Sequence, residues 1–213
     1  DFLATALDIK SVHSILDFGA GDGSLLCGLA KLSSANLVGV EPSKDYRAFA
    51  ESRVSAELLE SLTDISDGTA FDLITINHVL EHIADPKSLL ERLGRLLSPE
   101  GQLYIDVPDV TMYDSIEDLH IAHLLHFSLL SLLSLLETSG FDCRVIERHR
   151  PPDHPFSIRL IATKSDRAAA PQVPTPDYVE HLKARFSKIN STEKLYRIKQ
   201  RISRVVSFGK LKR

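Results

Sequence analysis

Apolar positions fall along this chain in short bursts separated by polar breaks, and the bursts alternate between strand-like and helix-like spacing. Val12 to Phe18 is β-branched and apolar and stops at a glycine cluster, which predicts a buried strand. Ser24 to Leu32 predicts a helix, and Asn36 to Val40 a second strand stopped by Glu41-Pro42. Ser43 is placed to cap a helix over Lys44 to Glu51. Val54 to Leu59 predicts a third strand and Phe71 to Ile76 a fourth. Pro86 opens a helix to Leu97 with Asp85 as its cap, and the turn Ser98-Pro99-Glu100-Gly101 ends it. Gln102 to Val107 is a fifth strand, closed by Pro108. Asp109 to His126 has no simple period. Phe127 to Ser139 predicts a helix ended by Gly140. Cys143 to Arg148 and Ser157 to Thr163 predict two last strands. The proline-rich loop between them favours an antiparallel closing pair.

Strands that alternate with helices imply an α/β fold, a doubly wound, mostly parallel sheet covered on both faces. A ligand crevice is then expected at the carboxyl ends of the strands. This domain is expected to span residues 1–164. Residues 165–177, rich in Ala, Pro and charge, read as a linker. Residues 178–213 read as a helical extension, with Leu182, Phe186 and Ile189 and later Leu195, Ile198, Ile202 and Val205 as apolar repeats.

Charge sharpens that division. Residues 181–213 hold 11 of the 25 Lys and Arg and a single acid, so the extension carries +10 and the rest of the chain −14. The two cysteines, Cys27 and Cys143, form no C-x-x-C pair, which disfavours a disulfide framework or zinc cluster. The longest apolar run, Leu124 to Leu136, is interrupted by His126 and three serines, so no transmembrane segment is expected. With no signal peptide visible, a cytoplasmic location is the expectation. The opening on Asp1 rather than Met suggests that an N-terminal portion is missing.

The candidate chemistry begins at Ile15-Leu16-Asp17-Phe18-Gly19-Ala20-Gly21-Asp22-Gly23-Ser24. Alternating glycines directly after a strand allow backbone conformations closed to other residues and let a ligand approach the chain. The spacing is G-x-G-x-G and no Lys follows, so neither a dinucleotide fingerprint nor a P-loop is matched. The same glycines would also serve a plain tight strand–helix connection. About 20 residues on, Glu41 ends the second strand, where this fold grips ribose hydroxyls. A carboxylate can accept from both hydroxyls of a cis-diol. The alternative is a solvated strand-end acid.

From Val12 to Lys164 the chain resembles the class I S-adenosylmethionine-dependent methyltransferases, which share a Rossmann-like fold with a seven-stranded sheet and an antiparallel last strand. Ile15 to Gly23 is similar to their first motif and Val38 to Ser43 to their second. Phe71 through His78-Val79-Leu80-Glu81-His82 to Pro86 is similar to the fourth-strand motif of one branch, and Leu97 to Leu103 to its following turn. The resemblance implies S-adenosyl-L-methionine as cofactor. It implies that Asp17, Gly19, Gly21 and Gly23 surround the methionine part, that Glu41 holds the ribose, and that Asn77 and His78 lie near the sulfonium and amino groups. For the adenine contact after the third strand, Glu57 and Leu58 fit better than Asp64-Ile65.

Methyl transfer from a sulfonium needs alignment, and a base where the acceptor is a hydroxyl or amine. The candidate bases lie in the stretch Asp118 to Ser128, where His120, His123 and His126 at spacing three could share one helical face. His123 and His126 are the residues expected to be catalytic. They could equally cap a helix or order a lid. Three histidines can bind zinc, but the resemblance implies chemistry without a metal. The expected activity is methyl transfer to a small-molecule or glycan acceptor, at oxygen. An alternative is an RNA or protein methyltransferase docking through the basic tail. Another is a non-catalytic cofactor-binding subunit. Residues 181–213 could pack on the body or a partner protein, or meet an anionic membrane. Nucleic acid is disfavoured because no RNA-binding module is visible and no N/D-P-P-Y/F/W block follows the fourth strand.

Overall fold

A computed structural model describes residues 2–152, 155–165, 179–180 and 182–192. Seven strands form one sheet: β1 (Ser14–Phe18), β2 (Asn36–Val40), β3 (Glu57–Leu59), β4 (Phe71–Asn77), β5 (Leu97–Pro108), β6 (Phe141–His149) and β7 (Ser157–Lys164). Their spatial order is β3-β2-β1-β4-β5-β7-β6. The first five strands run parallel, and β7 is antiparallel to both β5 and β6. The helices are α1 (Phe2–Ala6), α2 (Ser24–Leu32), α3 (Lys44–Glu51), α4 (Pro86–Leu96) and α5 (Leu129–Thr138).

Strand alternation sends neighbouring side chains into different layers. On one face Leu16, Ile74, Ile76, Leu103 and Ile105 pack against Leu90 and Leu93 of α4 and Leu132 and Leu136 of α5. On the other, Ile15, Leu73, Tyr104 and Ile161 pack against Phe2 and Leu3 of α1 and Leu26 and Leu29 of α2. This two-sided burial is why the central strands read as nearly continuous apolar runs. Strand order reverses between β1 and β4, so their carboxyl tips splay apart and leave the crevice of a doubly wound fold.

α2, β2 and α3 have the ends read from the sequence, and the caps act as expected. Ser43 Oγ accepts from Tyr46 N–H and Asp85 Oδ1 from Ser88 N–H. Other element ends shift by one or two residues, and four features differ further. α1 has no sequence signal because a single turn presents too little period. β3 is only three residues long. The stretch Ser98 to Gly101 is drawn into β5, where a register shift opposite Phe71 and Leu73 absorbs the extra residues as a bulge. The stretch carrying His120, His123 and His126 is a series of turns and bends, so the expected shared helical face does not exist.

Beyond the sheet, the helix over 182–192 packs Leu182, Phe186 and Ile189 on Val110 and Tyr113. Arg185 Nε donates to the Tyr113 carbonyl at 2.8 Å. Residues 166–177 of the expected linker and the later apolar repeats of the basic extension, Leu195, Ile198, Ile202 and Val205, lie outside the described residues.

Candidate functional site

At the tip of β1 the three motif glycines all have left-handed backbone, with φ of +81° at Gly19, +52° at Gly21 and +77° at Gly23. They have different neighbours. A Cβ on Gly19 would collide with Val79, and one on Gly23 would come within 2.9 Å of Ala50. Gly21 alone faces open space, with nothing within 4 Å of its missing Cβ. The backbone there can be approached directly by a ligand.

Glu41 follows β2 and its carboxylate is fixed by two backbone donors. Gly21 N–H donates to Oε2 at 2.9 Å and Ser43 N–H to Oε1 at 2.8 Å. Each oxygen keeps a further lone pair for a diol. Thus Glu41 also holds the glycine loop in shape. Asp17, 2% exposed, sits beneath the loop and accepts from Thr75 Oγ1 at 2.7 Å. Burial pushes its carboxyl up to about 6, the Thr75 hydrogen bond opposing and Glu41 adding to the shift.

The register of β3 bears on the adenine expectation. Leu59 is level with Val40, the end of β2, while Glu57 lies opposite Val38 and Leu58 opposite Gly39. Both therefore stand short of the carboxyl edge, Glu57 exposed and Leu58 packed among Gly39, Ala20 and Leu26. A slot of about 350 Å³ opens instead just past Leu59, lined by Glu60, Ser61 and Leu62 together with Phe18, Val40 and Leu89. The short connection from Glu41 hid this offset.

At the tip of β4, Asn77 is level with Asp106 of β5. His78 takes a left-handed φ of +53°, uncommon for a residue with a Cβ. Its N–H donates to the Asp106 carbonyl at 2.9 Å. Its Nδ1 lies 3.6 Å from Glu81 Oε1 and its Nε2 4.0 Å from Asp106 Oδ1. Burial opposes charge on His78, but the Glu81 carboxyl and then Asp106 outweigh it and raise its pKa. Glu81 is only 1% exposed, and neither of its carboxylate oxygens has a hydrogen-bond donor among the described residues.

The turns after β5 fold back over this floor. The carbonyl of Glu81 accepts from Leu124 and Leu125 N–H, and His82 Nδ1 pairs with the Ala122 carbonyl at 2.8 Å. These ties bring His123 Nε2 to 4.0 Å from Glu81 Oε1. His126 Nδ1 meets Tyr113 Oη at 3.1 Å. The rings of His120, His123 and His126 follow one another at 5.1 and 5.8 Å, as the sequence spacing intended but through loop geometry. Burial lowers the pKa of both His123 and His126, with Glu81 opposing. His78, Glu81, His82, His120 and His123 line a cavity of about 1020 Å³, closed on another side by Arg150 and Pro151.

Two further groups escaped the sequence reading. His149, the last residue of β6, places Nε2 2.8 Å from Asp106 Oδ2, which also accepts from Tyr104 Oη at 3.1 Å. Burial raises the Asp106 pKa while His78, His149 and Tyr104 pull it back. Tyr113, within the lid formed by the turns of residues 110–126 after β5, is the partner of His126. Neither lies in a motif, and only the antiparallel closure or the loop path brings them in.

Comparison with known proteins shows the family and the fold. A family model described as a methyltransferase domain matches residues 1–145. Methyltransferase GfsG of Streptomyces halstedii is 29% identical over 125 residues, 54% of this chain and 44% of that protein. The ubiquinone biosynthesis O-methyltransferase of Xanthomonas oryzae pv. oryzae is 30% identical over 121 residues, 49% of this chain and 46% of that protein. The chain thus spans less than half the length of these curated relatives. In fold, it superposes on an S-adenosylmethionine-dependent methyltransferase from Mesorhizobium loti with a TM-score of 0.61 at 17% identity, over 75% of this chain and 94% of the other.

Proposed function

The chain belongs to the family of methyltransferase domains, and on that premise we propose that it moves a methyl group from S-adenosyl-L-methionine to oxygen of a small-molecule or glycan acceptor. The observation that carries this reading is the pairing of two sites across the β1–β4 switch point. One is an open glycine loop with an anchored carboxylate. The other is a histidine-lined cavity of about 1020 Å³, a volume suited to a metabolite or a few sugar units.

The residues fit the donor. Glu41 takes the ribose hydroxyls, and the backbone at Gly21 faces the amino-acid end, with Asp17 beneath it. Asn77 and His78 border the sulfonium. The adenine enters the slot at Ser61 and Leu62 rather than meeting Glu57 and Leu58. S-adenosyl-L-methionine supplies an activated methyl group, and the chain supplies alignment and a proton acceptor. The acceptor hydroxyl gives its proton to His123 or His126. With the donor bound, that oxygen would take the methyl carbon as the carbon–sulfur bond broke, the electron pair staying on sulfur. Burial holds both imidazoles neutral near pH 7, the state a base needs.

The test uses donor labelled in its methyl group, incubated with the chain and a mixed pool of metabolites, oligosaccharides, RNA and protein. Label is expected in acid-soluble products. Label confined to acid-precipitable RNA or protein would overturn the acceptor assignment. With a working acceptor, His126→Ala and His123→Ala should each lower kcat by roughly 10²–10⁴-fold if that residue is the base, with donor Kd within about twofold. Full turnover in both variants would remove the base assignment.

A further inference from the structure

We propose that Glu81, His82 and His123 form a binding site for one first-row divalent metal ion of the zinc type, open to the cavity. Its role in the reaction rests on the methyl-transfer reading, while its existence does not.

The argument starts from Glu81. A carboxylate that is 1% exposed and has no hydrogen-bond donor on either oxygen among the described residues is costly to bury, and such groups pair or coordinate metals. No Lys or Arg approaches it among the described ion pairs; its neighbours are the imidazoles of His78 and His123. His82, next in sequence, has Nδ1 on the Ala122 carbonyl at 2.8 Å. A carbonyl only accepts, so Nδ1 carries the proton and Nε2 keeps the lone pair. A ligating histidine is held in this way by its outer partner. His123 turns Nε2 toward Glu81, and its Nδ1 is buried with no hydrogen-bond partner among the described residues. One donor atom from each of the three residues lies within 4.8 Å of the others. Donors on a tetrahedral zinc stand about 3.3 Å apart, given bonds of about 2.0–2.1 Å. The widest separation must therefore shorten by up to about 1.5 Å for a tetrahedral ion to be held by all three.

Two imidazoles and one carboxylate suit zinc, iron or cobalt rather than magnesium or calcium, which prefer oxygen. Three protein ligands leave a position free, the arrangement of catalytic rather than structural zinc. Since all three residues line the acceptor cavity, that position faces the acceptor hydroxyl, whose acidity the ion would increase. With His123 on the ion, its Nε2 is no longer available as the proton acceptor.

Metal-stripped full chain titrated with Co²⁺, and with Zn²⁺ in competition, tests the site by visible absorption and calorimetry without donor or acceptor. One ion per chain is expected. Glu81→Gln and, separately, His123→Ala should weaken binding by at least about 10–100-fold, with His120→Ala leaving it unchanged. Each variant is first shown to be folded by circular dichroism; should Glu81→Gln not fold, His123→Ala decides. No Co²⁺ binding to the wild-type chain, or equal affinity in the variants, would overturn the proposal. Because no donor is present, that result would leave the methyl-transfer reading standing, and a failure of donor binding would leave the ion site standing.

Discussion

Single residues divide the glycine motif into two tasks. Gly19 is confined by Val79 and Gly21 faces open space. Gly19→Ala should therefore cost stability, about 1–3 kcal/mol for a side chain in left-handed backbone against a packed neighbour. Gly21→Ala should unfold nearly as the parent does, apart from about 1 kcal/mol of backbone strain, yet bind donor at least tenfold more weakly. Denaturant unfolding and calorimetry on the two variants separate these outcomes. Equal stability loss in both would contradict the division.

Asp17 gives the pH dependence. Its folded pKa, about 6, exceeds the ordinary 3.8, so the folded state binds this proton more tightly than the unfolded chain. The contribution to stability is fully present below pH 4 and is lost as pH rises to about 6, a change of about 3 kcal/mol. Asp17→Asn should remove this slope and stabilise the donor-free protein at pH 7. A cationic donor favours the ionised carboxylate, so wild-type donor affinity should weaken as pH falls through 6. In Asp17→Asn it should be weaker and flat. A donor Kd independent of pH between 5 and 8 in the wild type would contradict the contact.

At the scale of elements, local signals carried far. Ser43, Asp85 and Gly140 each mark a helix end that the structure bears out. Short-range chemistry fixes such ends, so a window of a few residues suffices. What the sequence concealed depends on pairing across the chain. The start of β5 is drawn back to Leu97 by Phe71, and the offset of Glu57 follows from β3 aligning with β2. The histidine stretch kept its spacing-three proximity while losing its helix: His123 N–H closes a single turn on the His120 carbonyl, and Leu124 and Leu125 N–H then leave the stretch for the Glu81 carbonyl. His149 reaches Asp106 across 43 residues with no local trace.

The helix over 182–192 also acts at this scale. It covers Tyr113, whose hydroxyl meets His126. Ile189→Ala, removing one of the three buried residues of that cluster, should cost about 2–4 kcal/mol of local docking. Hydrogen exchange should then quicken over residues 110–126 and stay unchanged in β1 and β4. Unchanged exchange in the lid would show that the helix does not hold it.

For the whole molecule, the order β3-β2-β1-β4-β5-β7-β6 sets the glycine loop, the anchored Glu41 and the histidine floor around one crevice. Titration of the wild-type chain with S-adenosyl-L-methionine, beside Glu41→Ala, tests this arrangement most directly. Calorimetry should show one donor bound per chain, with affinity falling by roughly 10–100-fold when the carboxylate is removed, as loss of charge-assisted hydrogen bonds worth about 1.5–3 kcal/mol implies. No binding at millimolar donor, or equal affinity in the two proteins, would contradict it.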